Sequence, residues 1–334
     1  MTSRPAGTGR KRAGVIAALV ILAMAVPAQA EPLPVREVAE GVYLYQGAHS
    51  EASAENHGGI ANIGFVVGDE AVAVIDSGGS AHQGRRLREA IRQVTDLPIQ
   101  NVINTHVHPD HVFGNAAFLA DEPLFLGHAK LPRALAARGQ YYLERLEAEL
   151  GEAAGGTKVV PPLLTVSVQG GLSDEDVAAM APGVVATSPL DIDLGGRMLR
   201  LTAYPTAHTD NDLTVLDVRT ATLWTGDLLF RERVPVVDGS LKGWLEAMAT
   251  LRRVEARRVI PGHGAPTADW PAALDRQERY LRLLRDEIRA VIRDGGTMEQ
   301  AVASVAAAER DAWLLFDDYN PRNVVTAFTE LEWE

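Results

Sequence analysis

The sequence predicts an α/β protein with mixed β-sheets, and three observations carry that prediction. Short β-branched apolar runs recur along the chain, helical patterns stand between and after them, and the connections are of two kinds. One kind is a tight turn: Gly68-Asp69-Glu70 joins the runs at 65–67 and 71–74 as an antiparallel hairpin. The other is a crossover: the run at 72–76 leads through a helical pattern to 102–104, a βαβ unit with parallel strands.

In chain order, strands are expected over 42–45, 63–67, 71–75, 101–104, 199–203, 213–217, 222–225 and 258–260, each bounded by turn residues. Apolar residues at helical spacing predict helices over 83–94, 131–150, 241–254, 271–293 and 298–308, with Ser240 as the cap of the third. The stretch 151–183 is rich in Gly, Pro and small residues and reads as an insertion or a lid beside a site. No internal repeat or block of like charge divides the chain, so 31–334 reads as one domain.

The first thirty residues read as an export signal. A basic start with Arg4, Arg10, Lys11 and Arg12 precedes an apolar run from Ala13 to Val26 and then Ala28-Gln29-Ala30. The run is shorter than the roughly 20 residues that span a bilayer, so cleavage after Ala30 and a periplasmic location are expected, with no stable membrane insertion afterwards. Cleavage removes four cations and no anion, taking the net charge from -12 to -16.

Composition narrows the chemistry. The 334 residues include 46% hydrophobic and 23% charged side chains, an ordinary globular balance. Excess acid argues against nucleic acid, because phosphate backbones are bound by basic surfaces. The absence of cysteine excludes disulfides, thiolate nucleophiles and Cys-ligated zinc. Any metal must sit on His, Asp or Glu.

Three of nine histidines fall in Thr105-His106-Val107-His108-Pro109-Asp110-His111, directly after an apolar strand. His106 and His108 are two apart in extended chain and point the same way; Asp110 and His111 follow a proline and can turn back, so six residues offer four ligands. His208 follows the strand ending at Ala203. Asp227 closes Leu223-Trp224-Thr225-Gly226-Asp227, His263 sits in Pro261-Gly262-His263-Gly264, and Asp76 ends Val72-Ala73-Val74-Ile75-Asp76. Each presents a polar side chain at a strand end, where glycine admits close approach.

This set, in this order, resembles the metallo-β-lactamase-fold hydrolase superfamily over most of the mature chain. The resemblance implies an αββα sandwich of two mixed sheets flanked by helices, with two metal ions in a groove at one edge. It implies that His106, His108 and His208 hold the first metal, that Asp110, His111 and His263 hold the second, and that Asp227 bridges both. Asp76 corresponds to a supporting residue that orients the loop. Imidazole and carboxylate donors suit Zn, Fe or Mn, and two zinc ions per chain are the expectation. Two dications roughly 3.5–4 Å apart would acidify a shared water, which Asp110, the expected catalytic residue, holds for attack on a small-molecule substrate.

Lactamase classes with a Cys ligand are excluded, and the all-His class lacks a ligand like Asp227, so a dedicated β-lactamase is disfavoured. A glyoxalase II-like thioesterase shares the ligands, but the acidic Leu331-Glu332-Trp333-Glu334 does not match a glutathione-reading end. The phrases from Asn104 to Phe118, Gly226 to Phe230, Asp238 to Trp244 and Arg322-Asn323-Val324 are similar to the exported quinoprotein relay system zinc metallohydrolases. That branch is associated by genomic context with periplasmic quinoprotein dehydrogenases, which makes such a dehydrogenase the expected partner. Its chemistry could be hydrolysis of an ester, thioester, lactone or amide, a non-catalytic metal-binding role, or iron-dependent oxygenation.

Of the remaining histidines, His57 lies on a glycine-bearing loop suited to substrate contact or to a surface turn, and His49, His82 and His128 read as structural or surface residues. Trp244 and Lys242 either line the groove or, for Trp244, pack the core. Tyr141 and Tyr142 stand where they could cap a pocket.

Overall fold

The computed structural model describes residues 1–3, 30–170 and 183–334, so most of the expected leader, 4–29, and residues 171–182 of the Gly/Pro-rich stretch lie outside the described residues. Among the described residues, eight strands pair in chain order into a first sheet: β1 (Arg36–Ala39), β2 (Val42–Tyr45), β3 (Ile63–Val67), β4 (Val72–Ile75), β5 (Ile99–Ile103), β6 (Leu124–His128), β7 (Leu164–Ser167) and β8 (Val184–Thr187). The first four run antiparallel, with short turns between β1 and β2 and between β3 and β4 and a longer loop, 46–62, between β2 and β3. From β4 to β8 the pairing is parallel, and α1 (Ala81–Val94) and α3 (Leu131–Leu150) carry the chain back across the sheet between β4 and β5 and between β6 and β7. Part of the 151–183 stretch therefore contributes a strand, Leu164–Ser167, to the sheet.

The second sheet has the order β13-β12-β11-β10-β9, from β9 (Leu190–Asp193), β10 (Met198–Ala203), β11 (Leu213–Asp217), β12 (Thr222–Phe230) and β13 (Arg258–His263). Only β12 and β13 are parallel, and α4 (Leu241–Leu251) lies between them in sequence. Three more helices follow: α5 (Asp275–Arg293), α6 (Met298–Ser304) and α7 (Phe316–Leu331).

Side-chain alternation explains the layering. In β4, Ala73 and Ile75 face the second sheet, meeting Leu199, Leu201, Val215, Trp224 and Ile260, while Val72 and Val74 face α1 through Leu87 and Ile91. A strand buried on both faces reads as a continuous apolar run, as Val72-Ala73-Val74-Ile75 does. The outer face of the second sheet is covered by α4, α5 and α7 around Trp244, Tyr280, Leu284 and Phe328. The result is the expected αββα sandwich of two mixed sheets. Ser80 and Ser240 cap α1 and α4 by accepting from the backbone N–H three residues on.

A buried arginine of the second sheet also ties the two sheets together. Buried Arg197 donates to both oxygens of Asp217 (3.0 and 2.7 Å) and to the carbonyls of Val67 and Glu40 across the sandwich.

Candidate metal centre

Asp76 and the seven expected donors lie at one edge of the sandwich, at or just beyond the carboxyl half of β4, β5, β10, β12 or β13. Two groups of donors result. His106, His108, His208 and Asp227 form one; Asp110, His111 and His263 form the other. Asp110 and His111 occupy α2 (Pro109–Val112), a single turn that folds the chain back after His108.

In the first group His108 Nδ1 lies 3.1 Å from His106 Nε2 and 3.0 Å from His208 Nε2, with Asp227 Oδ2 3.6 Å from His106 Nε2 and 3.4 Å from His208 Nε2. Bonds of about 2.0–2.1 Å at tetrahedral angles would separate ligand atoms by roughly 3.3–3.4 Å, so this spacing suits a shared zinc-sized cation. Each ring uses its outer nitrogen elsewhere. His106 Nδ1 meets Thr105 Oγ1, His208 Nδ1 donates to the Val236 carbonyl (2.7 Å) and His108 Nε2 donates to Asp238 (3.2 Å). Those partners aim three inner lone pairs at one another, an arrangement that repels until a cation or proton enters.

The second group is built the same way. His111 Nδ1 donates to Asp76 (2.8 Å) and His263 Nδ1 to the Ile60 carbonyl (2.9 Å). Both Nε2 atoms turn inward: His111 Nε2 lies 3.6 Å from Asp110 and 3.2 Å from Asp227 Oδ1, and His263 Nε2 lies 3.4 Å from each carboxylate. Asp227 thus faces both groups: its Oδ2 lies toward His106, His208 and His263, and its Oδ1 toward His111. His111 Nε2 and Asp227 Oδ1 are buried without a hydrogen-bond partner. Orphaned buried acceptors of this kind are costly unless an ion satisfies them, so the residues fit a divalent metal.

Electrostatics agrees. Burial drives His106 well below the ordinary imidazole range and takes His208 down to about 4, so both stay neutral and ready to ligate. Burial also opposes protonation of His111, but Asp227, Asp110 and Asp76 override it and raise the ring well above its usual value. Asp227, against its burial, is held well below the carboxylate range by His263, His111 and His106.

Asp76 acts where expected, as a support: it accepts from the Thr105 backbone N–H and hydroxyl (2.8 Å each) as well as from His111. Its backbone holds a left-handed φ of 54°, which turns the carboxylate under the histidine loop. Two further supports carried no sequence signal of their own. Asn62, at the start of β3, accepts from Gly47 N–H and donates to the carbonyls of Pro261 and Gly264, fixing the His263 loop. Asp238, two residues before the α4 cap, accepts from His108 and from Arg138 (2.5 Å), and His108 first and then Arg138 hold its carboxyl low against burial.

The other candidates separate cleanly. Trp244 packs the core, its ring 5.2 Å from His208 and its indole N–H on the Leu228 carbonyl, while Lys242 pairs with Glu334. Tyr142 lines the cavity over the donors and Tyr141 is exposed. His57 stacks on His82 with ring centroids 4.0 Å apart, His49 pairs with Glu232, and His128 is buried in β6.

A family model described as the metallo-beta-lactamase superfamily matches residues 57–263, more than half of the chain. The chain belongs to that superfamily. Its fold and its donor groups are those of a superfamily hydrolase, for which divalent metal binding is implied. Among curated proteins it is similar to a linear primary-alkylsulfatase of Pseudomonas sp. (strain ATCC 19151), 26% identical over 247 residues, covering 66% of this chain and 43% of the relative. The chain therefore spans less than half the length of that relative. Among solved structures, the sec-alkylsulfatase Pisa1 from Pseudomonas sp. superposes with a TM-score of 0.57 at 17% identity, covering 81% of this chain and 45% of that one. The structure of TMB-1 gives 0.54 at 17% identity, covering 75% and 97%, and a metallo-beta-lactamase from Pontibacter korlensis gives 0.53 at 18%, covering 74% and 98%. These likenesses establish the fold.

Proposed function

We propose that the protein is an exported, binuclear zinc hydrolase acting on a small ester, thioester, lactone or amide, and that it belongs to the quinoprotein relay system branch serving periplasmic quinoprotein dehydrogenases. The observation that supports it best is Asp227, whose carboxylate lies between the two donor groups, within 3.4 Å of His208 in one and of His111 and His263 in the other, while His111 Nε2 lacks a hydrogen-bond partner. A storage or scaffold site has no need of a carboxylate shared in this way.

His106, His108 and His208 would hold one ion, Asp110, His111 and His263 the other, and Asp227 would join them. When bound, such a pair supplies Lewis acidity and a water acidic enough to ionise near neutral pH. The chain's own part is positional. Asp110, the more exposed of the two carboxylates in the cluster, projects into the cavity, where its free oxygen can take the proton of the attacking water and return it to the leaving group. Asp76 and Asp238 hold the His111 and His108 rings so that neither can rotate out of the cluster.

A second reading, hydrolysis of a sulfate ester, draws support from the similarity to the Pseudomonas alkylsulfatase. Metal analysis together with a panel of chromogenic esters, thioesters, lactones, nitrocefin and an alkyl sulfate tests both. Two equivalents of zinc are expected, with turnover lost in His108→Ala. Tightly held metal with no hydrolysis of any substrate would point instead to an accessory metal-binding role, and iron colour with oxygen uptake to an oxygenase.

A further inference from the structure

We infer that the substrate carries an anionic oxygen group, and that this group docks on Arg233, in the cavity wall completed by the C-terminal helix. The inference rests on the hydrolase reading and names a substrate class for the same site.

The cavity above the donors encloses about 350 Å³, enough for a small molecule, and Arg233, Tyr319 and Arg322 form part of its wall. Arg233 is only 2% exposed, its Nε is buried with no hydrogen-bond partner, and it forms no ion pair with any described carboxylate. Its one polar neighbour in the centre is His263 Nδ1, 3.4 Å from Nη1, but that nitrogen already donates to Ile60, so a donor meets a donor. The guanidinium instead lies 4.9 Å over the Tyr319 ring, and Arg322 approaches the same ring at 5.3 Å. Tyr319 is fixed in turn by donating its hydroxyl to Glu51 on the opposite loop.

A ring face offsets only part of the cost of burying a cation, and buried arginines are ordinarily paired with carboxylates. This chain has 44 acidic side chains and sets none of the described ones against Arg233. The missing acceptor is therefore expected from outside, and the planar fork of a guanidinium matches carboxylate, sulfate and phosphate oxygens. Tyr319 and Arg322 lie on α7, beyond the 57–263 span that the family model matches.

The test compares zinc-loaded native protein with Arg233→Met and Arg322→Met on three probes: para-nitrophenyl hexanoate, mono-para-nitrophenyl adipate and para-nitrophenyl sulfate. Loss of a charge-assisted contact should lower the adipate-to-hexanoate ratio of kcat/KM about tenfold in Arg233→Met, and about threefold in the exposed Arg322→Met, mainly through KM. If the selective loss falls on the sulfate instead, the reacting group is itself the anion, and the docking site still stands. Equal loss on all three probes overturns it and leaves Arg233 a support for the His263 loop. A second readout needs no turnover: sodium adipate should raise the Tm of metal-free native protein and not of Arg233→Met. Should no ester be cleaved while that difference persists, the hydrolase reading fails and the anion site survives. If adipate stabilises neither protein, or both alike, the anion site is wrong. Should Arg233→Met fail to fold, Arg322→Met carries both readouts.

Discussion

A Cβ placed on Gly262 would come within 1.8 Å of Asp227 Oδ1 and within 2.8–2.9 Å of the backbone around Asp227. That contact makes Gly262→Ala a sharp probe of the shared carboxylate, because the methyl group must push it out of the position that faces both donor groups. The expected outcome is a folded protein, by circular dichroism, whose zinc affinity falls about 100-fold, in line with the cost of disturbing a metal ligand's surroundings. Unchanged zinc content in the variant would mean that Asp227 does not need to be where the structure has it. At this scale the sequence was most legible. All seven donors and Asp76 stood out because charged residues at the ends of apolar strands have little structural use there. Asp238 and Asn62 did not stand out: an aspartate two residues before a serine cap, or an asparagine before a strand, looks like ordinary turn chemistry until distant backbone closes on it.

Between elements, the strands flanked by turns on both sides were readable and the irregular ones were not. β12 continues five residues beyond Thr225, to Phe230, although Gly226-Asp227 looks like a turn. Gly226 takes a left-handed φ of 50° and shifts the register against β13, so Asp227 sits inside a bulged strand rather than at its end. The edge strands β8 and β9 were missed because half-exposed four-residue segments carry too little apolar signal. The helix α7 was missed because Pro321 interrupts its pattern, yet it provides the wall that bears Arg322. The buried Arg197–Asp217 pair, which holds Arg197 against the first sheet's Val67 and Glu40 carbonyls, is likewise invisible in sequence, and it gives a testable pH signature. Burial raises the Asp217 carboxyl, but Arg197 and Thr220 outweigh it and the net pKa is lowered. The pair's contribution is therefore complete above the ordinary aspartate range and is lost as pH falls through the depressed folded value. Arg197→Met strands a buried carboxylate and should cost about 3–5 kcal/mol at pH 7 in urea unfolding. That deficit should shrink as pH drops toward 4, since the stranded carboxyl then protonates easily. A deficit independent of pH would assign the loss to packing alone.

Across the whole molecule, the proposed ligands divide between the two sheets: the His106–His111 loop leaves β5 of the first, while His208, Asp227 and His263 follow or belong to strands of the second. An ion bound by His106 and His208 is thus a cross-link between layers that also meet through apolar side chains, the Asn62 bonds to Pro261 and Gly264, and the Arg197 bonds to Val67 and Glu40. Metal affinity then becomes part of folding stability, because the unfolded chain has no preformed site. Free zinc a thousandfold above its dissociation constant stabilises by about 4 kcal/mol, which for a domain of this size corresponds to a Tm shift on the order of 10 °C. Chelation should lower the Tm by about that much, and stoichiometric zinc should restore it. His263→Ala, which leaves the His106, His108 and His208 group whole, should lose only part of the shift, while His208→Ala should lose most of it. If mass analysis finds the zinc gone and the melting curve has not moved, the sheets are held together without it, and the donor groups contribute to chemistry alone.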